Sequence, residues 1–237
     1  MQLVIFAGGL GTRISEETDY IPKPMVKIGK KPILWHIIKY YSVFGFSEFI
    51  ICGGYKISII KNYFKKSKNH RPWNIKVINT GKASNTGERL KRIKKYINGT
   101  FCLTYGDGLS NVNIDKLINF HKKNKPIVTL TTIKPQPLFG RLIFKGNKVI
   151  KFLEKEQKKE SWINGGFFVC EKKIFNHLNK KNTIFEKDTL SSLAMKKKLI
   201  AYKHRDFWYC MDTLRDKRHL NSLWSSKKAP WKIWKDE

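Results

Sequence analysis

Gly8, Gly9 and Gly11 in GGLGTR, Arg13 directly after them, and Lys23 in Pro22-Lys23-Pro24 stand close together near the start of the chain. Glycine lacks the side chain that would hold a polyanion off the backbone, so successive N–H groups can form an anion-binding nest. Arg13 adds a planar, permanent charge that matches phosphate oxygens, and the flanking prolines stiffen the approach of Lys23. A carboxylate with complementary chemistry comes much later. Asp107 sits between Gly106 and Gly108, with no bulk to screen it, and such a carboxylate can approach a Mg²⁺ held on phosphate oxygens.

Two familiar phosphate loops fail on spacing. A Walker A loop places Lys-Ser/Thr after its last glycine, where this chain has Thr12-Arg13. The dinucleotide fingerprint needs a third glycine where this chain has Ile14.

These groups must be carried by particular elements. Leu3 to Ala7 is an unbroken apolar run, as expected of a strand covered on both faces, and it ends at the glycine turn. From Lys31-Pro32, the residues Ile33, Ile37, Ile38, Tyr41 and Phe44 recur at helical spacing until Gly45. Phe49–Cys52 and Ile75–Ile78 read as further strands, with a helix through Ile57, Ile60 and Phe64 between them. A β-α-β-α-β run of this kind gives a parallel sheet with right-handed crossovers. Phe101–Tyr105 is the fourth strand; ligands of open α/β sheets bind beyond the carboxyl ends of strands, so Asp107 is expected in the crevice of the glycine loop. Helices are expected over Asn113–Lys123 and Thr183–Lys198, with a strand over Ile127–Ile133 between them. Phe139–Phe144 and Val149–Phe152, joined at Gly146-Asn147, alternate as a hairpin does. The expected fold is a Rossmann-like three-layer α/β/α domain, with a mostly parallel mixed sheet and a small antiparallel hairpin over the active site.

The 237 residues suffice for one large α/β domain over 1–237. No apolar run is long enough to span a membrane and no secretion pattern opens the chain, so no membrane association and a cytoplasmic location are expected. Cys52, Cys102, Cys170 and Cys210 lie far apart, with no Cys-x-x-Cys pair, and read as free thiols, the first three in apolar strand-like runs. The net charge of +30 is the footprint of a nucleic-acid binder taken alone. Its lysines are scattered along the whole chain, however, and no helix-turn-helix or RNP motif accompanies them, so no specific nucleic acid is expected. The surplus would draw in anionic substrates, and the attraction should weaken with salt.

GGLGTR followed by PKPM resembles the signature of the sugar-phosphate nucleotidyltransferases. The likeness continues through TG…TGERLKR (residues 80–92), YGDG (105–108), Trp162 to Phe168 and FWYCMDTLRD (207–216), and it is greatest to the branch that uses CTP. The resemblance implies the nucleotide-diphospho-sugar transferase fold, Mg²⁺ as cofactor, CTP and a sugar 1-phosphate as substrates, and a homo-oligomer. It assigns residues 1–110 to nucleotide binding, and 111–237 to the sugar phosphate and a C-terminal helix. Ala7, Gly8, Gly9, Gly11 and Thr12 would cradle the triphosphate; Arg13 would stabilise the leaving group and Lys23 contact the α-phosphate. Ser84, Gly87, Arg89 and Gly106 would contact the nucleotide, Glu154, Lys155, Asn164 and Gly165 the sugar phosphate, and Asp107 and Asp212 the metal. Ordinary local chemistry offers other roles: Thr86 as a helix cap with Arg89 solvated, and Asp212 as a cap for the last helix. Three departures fall in substrate-facing segments, Glu88 for glycine, Glu156 for proline and Tyr209-Cys210 for Gln-Pro. The same chemistry on another base or acceptor is therefore the neighbouring reading, and a non-enzymatic basic anion-binding protein the distant one.

Overall fold

The computed structural model describes residues 1–66, 73–135, 141–154, 162–178 and 181–235. The chain opens with β1 (Gln2–Ala7) and the short α1 (Ser15–Thr18). A small ladder of β2 (Lys27–Ile28) with β3 (Lys31–Pro32) precedes α2 (Ile33–Val43), β4 (Glu48–Gly53), α3 (Ile57–Lys66) and β5 (Asn74–Asn79). Then come α4 (Thr86–Arg92), β6 (Phe101–Tyr105), β7 (Gly108–Ser110), α5 (Ile114–Asn124), β8 (Val128–Ile133), and a hairpin of β9 (Arg141–Lys145) with β10 (Lys148–Leu153). The remainder holds β11 (Ile163–Cys170), α6 (Ser191–Met195), β12 (Leu199–Lys203), β13 (Trp208–Cys210) and α7 (Leu214–Ser225).

Seven strands form one sheet in the order β12-β8-β11-β6-β1-β4-β5. β1 runs parallel to β4 and β6, β4 to β5, and β8 to β12, while β11 opposes both of its neighbours. The expected mixed, mostly parallel sheet is therefore present. Successive side chains of a strand point to opposite faces. Accordingly, Leu3, Ile5 and Ala7 pack with Ile33, Ile37 and Trp231 on one side, and Val4 and Phe6 with Leu90, Phe168 and Phe185 on the other. Both faces are covered, which is why β1 reads as an uninterrupted apolar run. Each such aliphatic side chain contributes about 1.5–3 kcal/mol by leaving water.

The chain leaves β1 to build β4 and β5 on one side and returns as β6 on the other. At that reversal the carboxyl ends of β1 and β6 part, and a crevice opens between them. Gly106 N donates to Phe6 O at 2.9 Å, fixing the loop after β6 beside the loop after β1.

The segment read as one helix over Thr183–Lys198 is shorter and wider. Phe185–Leu190 forms a π-helical turn that continues into α6. Two hydrogen bonds hold its start open, Phe185 N to Thr86 Oγ1 at 2.9 Å and Ile184 N to Asp188 Oδ2 at 2.7 Å. The helix closes at Met195 because Lys197 turns to φ +54° and Lys198 N bonds back to Leu193 O. The C-terminal tail folds back as packing: Trp231 is fully buried and its Nε1 donates to Nδ1 of the equally buried His36 at 3.4 Å. No helix among the described residues is long and apolar enough to cross a membrane.

Candidate active site

The glycine loop is built against an arginine. Arg89, only 4% exposed, donates from Nη2 to Gly8 O at 2.8 Å and from Nη1 to Gly81 O at 2.7 Å and Thr80 Oγ1 at 3.0 Å. A Cβ on Gly8 would lie 2.0 Å from Arg89 Nη1, so a side chain there would push the guanidinium off its acceptors. Gly11 has φ +71°, a conformation that favours glycine, and Thr18 Oγ1 donates to its carbonyl at 3.0 Å. Arg89 is therefore not the solvated side chain of the simpler reading. It lines the cleft while its guanidinium ties the loop after β1 to the loop after β5.

On the opposite wall two carboxylates share one ammonium. Lys23, 8% exposed, places Nζ at 2.6 Å from both Asp107 Oδ2 and Asp212 Oδ1. Arg13 Nη1 reaches Asp212 Oδ2 at 2.7 Å from a side chain that is otherwise largely in solvent. Burial alone would lower the lysine's pKa, but the Asp107 charge and hydrogen bonds to both carboxylates outweigh it and hold the ammonium above the ordinary lysine value. Long-range pairing makes the group possible: β13 pairs antiparallel with β7, and Met211 N donates to Asp107 O at 2.9 Å. Asp212 is not the cap of the last helix. Thr213 is, accepting from Asp216 N, while Asp216 Oδ2 accepts from Thr213 N at 2.7 Å and Asp212 N at 3.0 Å. The Asp212 carboxylate is left to face the cations.

Cys210 adjoins this group. Its thiol and one oxygen of each aspartate all lie within 4.8 Å of one another. Burial, reinforced by the charges of Asp107 and Asp212, pushes the thiol well above its usual range. The chemistry of the donors fits a divalent cation, and Lys23 Nζ already occupies the position of positive charge between the two aspartates.

Between the two walls lies a cleft of about 420 Å³, within the range of small-molecule sites. Of the residues named from the sequence, Ala7, Gly8, Gly9, Gly11, Thr12, Arg13, Lys23, Ser84, Arg89, Gly106 and Asp107 line it. Gly87 does not. It packs on the Thr183 segment, where a Cβ would meet Thr183 O at 2.8 Å, so the glycine serves close approach of α4. Thr86 is not a cap either: Asn85 holds that position, and Thr86 Oγ1 turns to Glu186. Asn164 on β11 donates to the Tyr105 hydroxyl at 3.2 Å, next to the cleft, and Gly165 O accepts from Trp208 Nε1 at 2.6 Å. Glu154 is exposed at the end of β10 and is not part of the lining. Lys155 and Glu156 lie outside the described residues.

Tyr105, Asn85, Thr86, Ile184 and Glu186 line the cleft without having been among the site residues expected from the sequence. Glu186 accepts from the Tyr105 hydroxyl at 2.5 Å and from Thr86 Oγ1 at 2.7 Å, which places a further carboxylate in the lining. Burial, then the Glu186 charge, raises the Tyr105 phenol and keeps it a donor. Glu186 carries no local signal, because its position depends on the π-helical turn; Tyr105 was visible only as part of YGDG.

A family model described as nucleotidyl transferase matches residues 2–236. The glucose-1-phosphate cytidylyltransferase of Salmonella typhimurium is 44% identical over 256 aligned residues, covering 99% of this chain and 100% of its own. The D-glycero-alpha-D-manno-heptose 1-phosphate guanylyltransferase of Aneurinibacillus thermoaerophilus is 31% identical, covering 85% of this chain and 89% of its own. Among solved structures, UDP-glucose pyrophosphorylase complexed with UDP-glucose superposes with a TM-score of 0.75 at 17% identity, covering 95% of this chain and 98% of that one. That likeness carries the fold, which is the nucleotide-diphospho-sugar transferase fold expected from the sequence. With a family model matched almost end to end and a relative at 44% identity over the full length, the chain belongs to the nucleotidyl transferase family.

Proposed function

We propose that this chain transfers the cytidylyl group of CTP to glucose 1-phosphate, giving CDP-glucose and pyrophosphate. The observation that carries the reading is the Lys23 ammonium, clamped at 2.6 Å between Asp107 and Asp212 at the edge of a glycine-lined cleft. The full-length relative from Salmonella typhimurium supports the choice of base and acceptor. A sugar-phosphate oxygen forms a bond to the α-phosphorus as the bond to the β-phosphate bridging oxygen breaks; no covalent protein intermediate is needed. The protein's work is to align two polyanions and offset the growing charge.

In this reading the backbone N–H groups from Gly8 to Thr12 hold the triphosphate, and Arg13 offsets charge on the departing pyrophosphate. Lys23 leaves the carboxylates for the α-phosphate when the nucleotide enters. Asp107 and Asp212 would hold a divalent ion, Mg²⁺, which would supply charge neutralisation on the phosphates. Ser84 faces the nucleoside, and Arg89 fixes the wall that shapes its pocket. Asn164, Gly165, Glu154 and Lys155 serve the sugar phosphate. Glu88, which replaces a family glycine, bonds Arg92 Nε at 3.1 Å, and it is not among the residues lining the cleft. This favours retention of cytidine. The four free thiols accord with a reducing cytoplasm.

Pyrophosphate release from CTP, UTP, dTTP, GTP and ATP, each with glucose 1-phosphate and Mg²⁺, tests the reading. Release with CTP alone is expected. Equal release with GTP or UTP would overturn the base assignment, and silence from folded protein that binds CTP would overturn the acceptor.

A further inference from the structure

Cys210 is the last residue of β13, and Asp212 follows it by two. β7, paired with β13 so that Cys210 faces Gly108, brings Asp107 to the same place. One donor atom from each residue lies within 4.8 Å of the other two, and a cation, Lys23 Nζ, already stands between the two aspartates. Donors around a tetrahedral Zn²⁺ stand about 3.3–3.5 Å apart, given its usual bond lengths, so side-chain rotations of about 1 Å would close the set. The remaining cysteines, Cys52, Cys102 and Cys170, are fully buried in the sheet. Only Cys210 among the four is both partly open and beside carboxylates.

Carboxylates suit Mg²⁺ and Mn²⁺, whereas a thiolate selects softer ions. We propose that Cys210 makes this a mixed oxygen–sulfur site, in which a thiophilic divalent ion such as Zn²⁺ or Co²⁺ binds Asp107, Asp212 and the Cys210 thiolate, displaces Lys23 and shuts out the hard ion. As the metal–sulfur bond forms, the thiol proton passes to solvent and the Lys23 ammonium moves off the carboxylates. The proposal rests on the reading that the aspartates hold a divalent ion, and it adds a soft-metal block of that position. Hard ions use the aspartates alone.

Co²⁺ titration of the full chain, followed by the thiolate-to-metal charge-transfer absorption, tests this, with Mn²⁺ binding followed in parallel by electron paramagnetic resonance. The expected result is a band saturating at one equivalent, absent in Cys210→Ser and Cys210→Ala proteins that circular dichroism shows to be folded. Zn²⁺ should remove the band, and both variants should lose about tenfold or more in Zn²⁺ affinity while Mn²⁺ binding is unchanged. No band at saturating Co²⁺, or a band that survives in both variants, with Mn²⁺ still bound, would overturn the sulfur ligand and leave the aspartate site standing. Failure of Mn²⁺ to bind the wild-type chain would overturn the aspartate site and this proposal together.

Discussion

Replacing Lys23 by Met keeps most of the buried stem and removes the ammonium that holds Asp107 and Asp212 together. The two carboxylates then face each other with oxygens within 4.8 Å, a repulsion of about 3–4 kcal/mol at an effective dielectric constant of about 20. About a quarter of each aspartate side chain is exposed, 25% and 27%, and Arg13 still pairs with Asp212, so solvent and that partner reduce the repulsion by roughly half. Together with two lost charge-assisted hydrogen bonds, the net destabilisation in chelator should be about 3 kcal/mol, or about 6–12 °C in Tm for a chain of this size. Divalent ions should repair the fold while leaving the chemistry broken. In the variant no ammonium competes for the carboxylates, and an ion at about 100 times its Kd restores about 2.7 kcal/mol. The assay is calorimetric unfolding of both proteins in EDTA and in Mn²⁺ or Mg²⁺, beside turnover. Wild type, in which the ion must first displace the ammonium, should gain clearly less than Lys23→Met, which should recover most of its lost Tm with turnover still down by about a hundredfold to a thousandfold. Equal Tm in EDTA, or equal gains from the metal in both proteins, would refute the reasoning that the ammonium stands in the place of the ion.

Arg89→Lys should lower stability by about 2–4 kcal/mol without any nucleotide, because a lysine cannot serve Gly8 O, Gly81 O and Thr80 Oγ1 together. A raised KM for CTP with unchanged urea unfolding would show a ligand contact instead. His36 is pushed down to about 4, chiefly by burial with Lys31 adding to it, against the opposing effect of its bond to Ile28 O. The unfolded chain takes up that proton near pH 6.5 and the folded chain only near 4, so stability is full above about 6.5 and falls through that window by on the order of 3 kcal/mol. Urea unfolding at pH 4.5 and 7 should show this slope, and His36→Gln should flatten it; an unchanged slope would assign the loss to other groups.

The parts of the fold that were legible in the sequence are those whose signal is local. β1 reads as a strand because both its faces are covered, and Gly8 to Arg13 reads as an anion loop because glycine and arginine each have a distinct physical use there. Asp107 follows from its place after β6. Asp212 was ambiguous because a carboxylate before a helix can cap it; only the reciprocal bonds of Thr213 and Asp216 leave Asp212 free for Lys23. Arg89 was visible as a cation, but its inward turn depends on three backbone segments meeting. Glu186 was hidden because a π-helical turn, held open by Thr86 from α4, decides where it points. The join of β13 to β7, which gathers Asp107, Cys210 and Asp212, is a pairing between segments a hundred residues apart that no local pattern encodes.

The most direct measurement is to supply CTP labelled at the α-phosphate with glucose 1-phosphate and Mg²⁺, and to identify the labelled product by mass. Label in CDP-glucose, formed in step with unlabelled pyrophosphate and lost in Asp107→Asn, is the expected result. Label found only in CMP, released at the same rate without glucose 1-phosphate, would contradict transfer to a sugar phosphate.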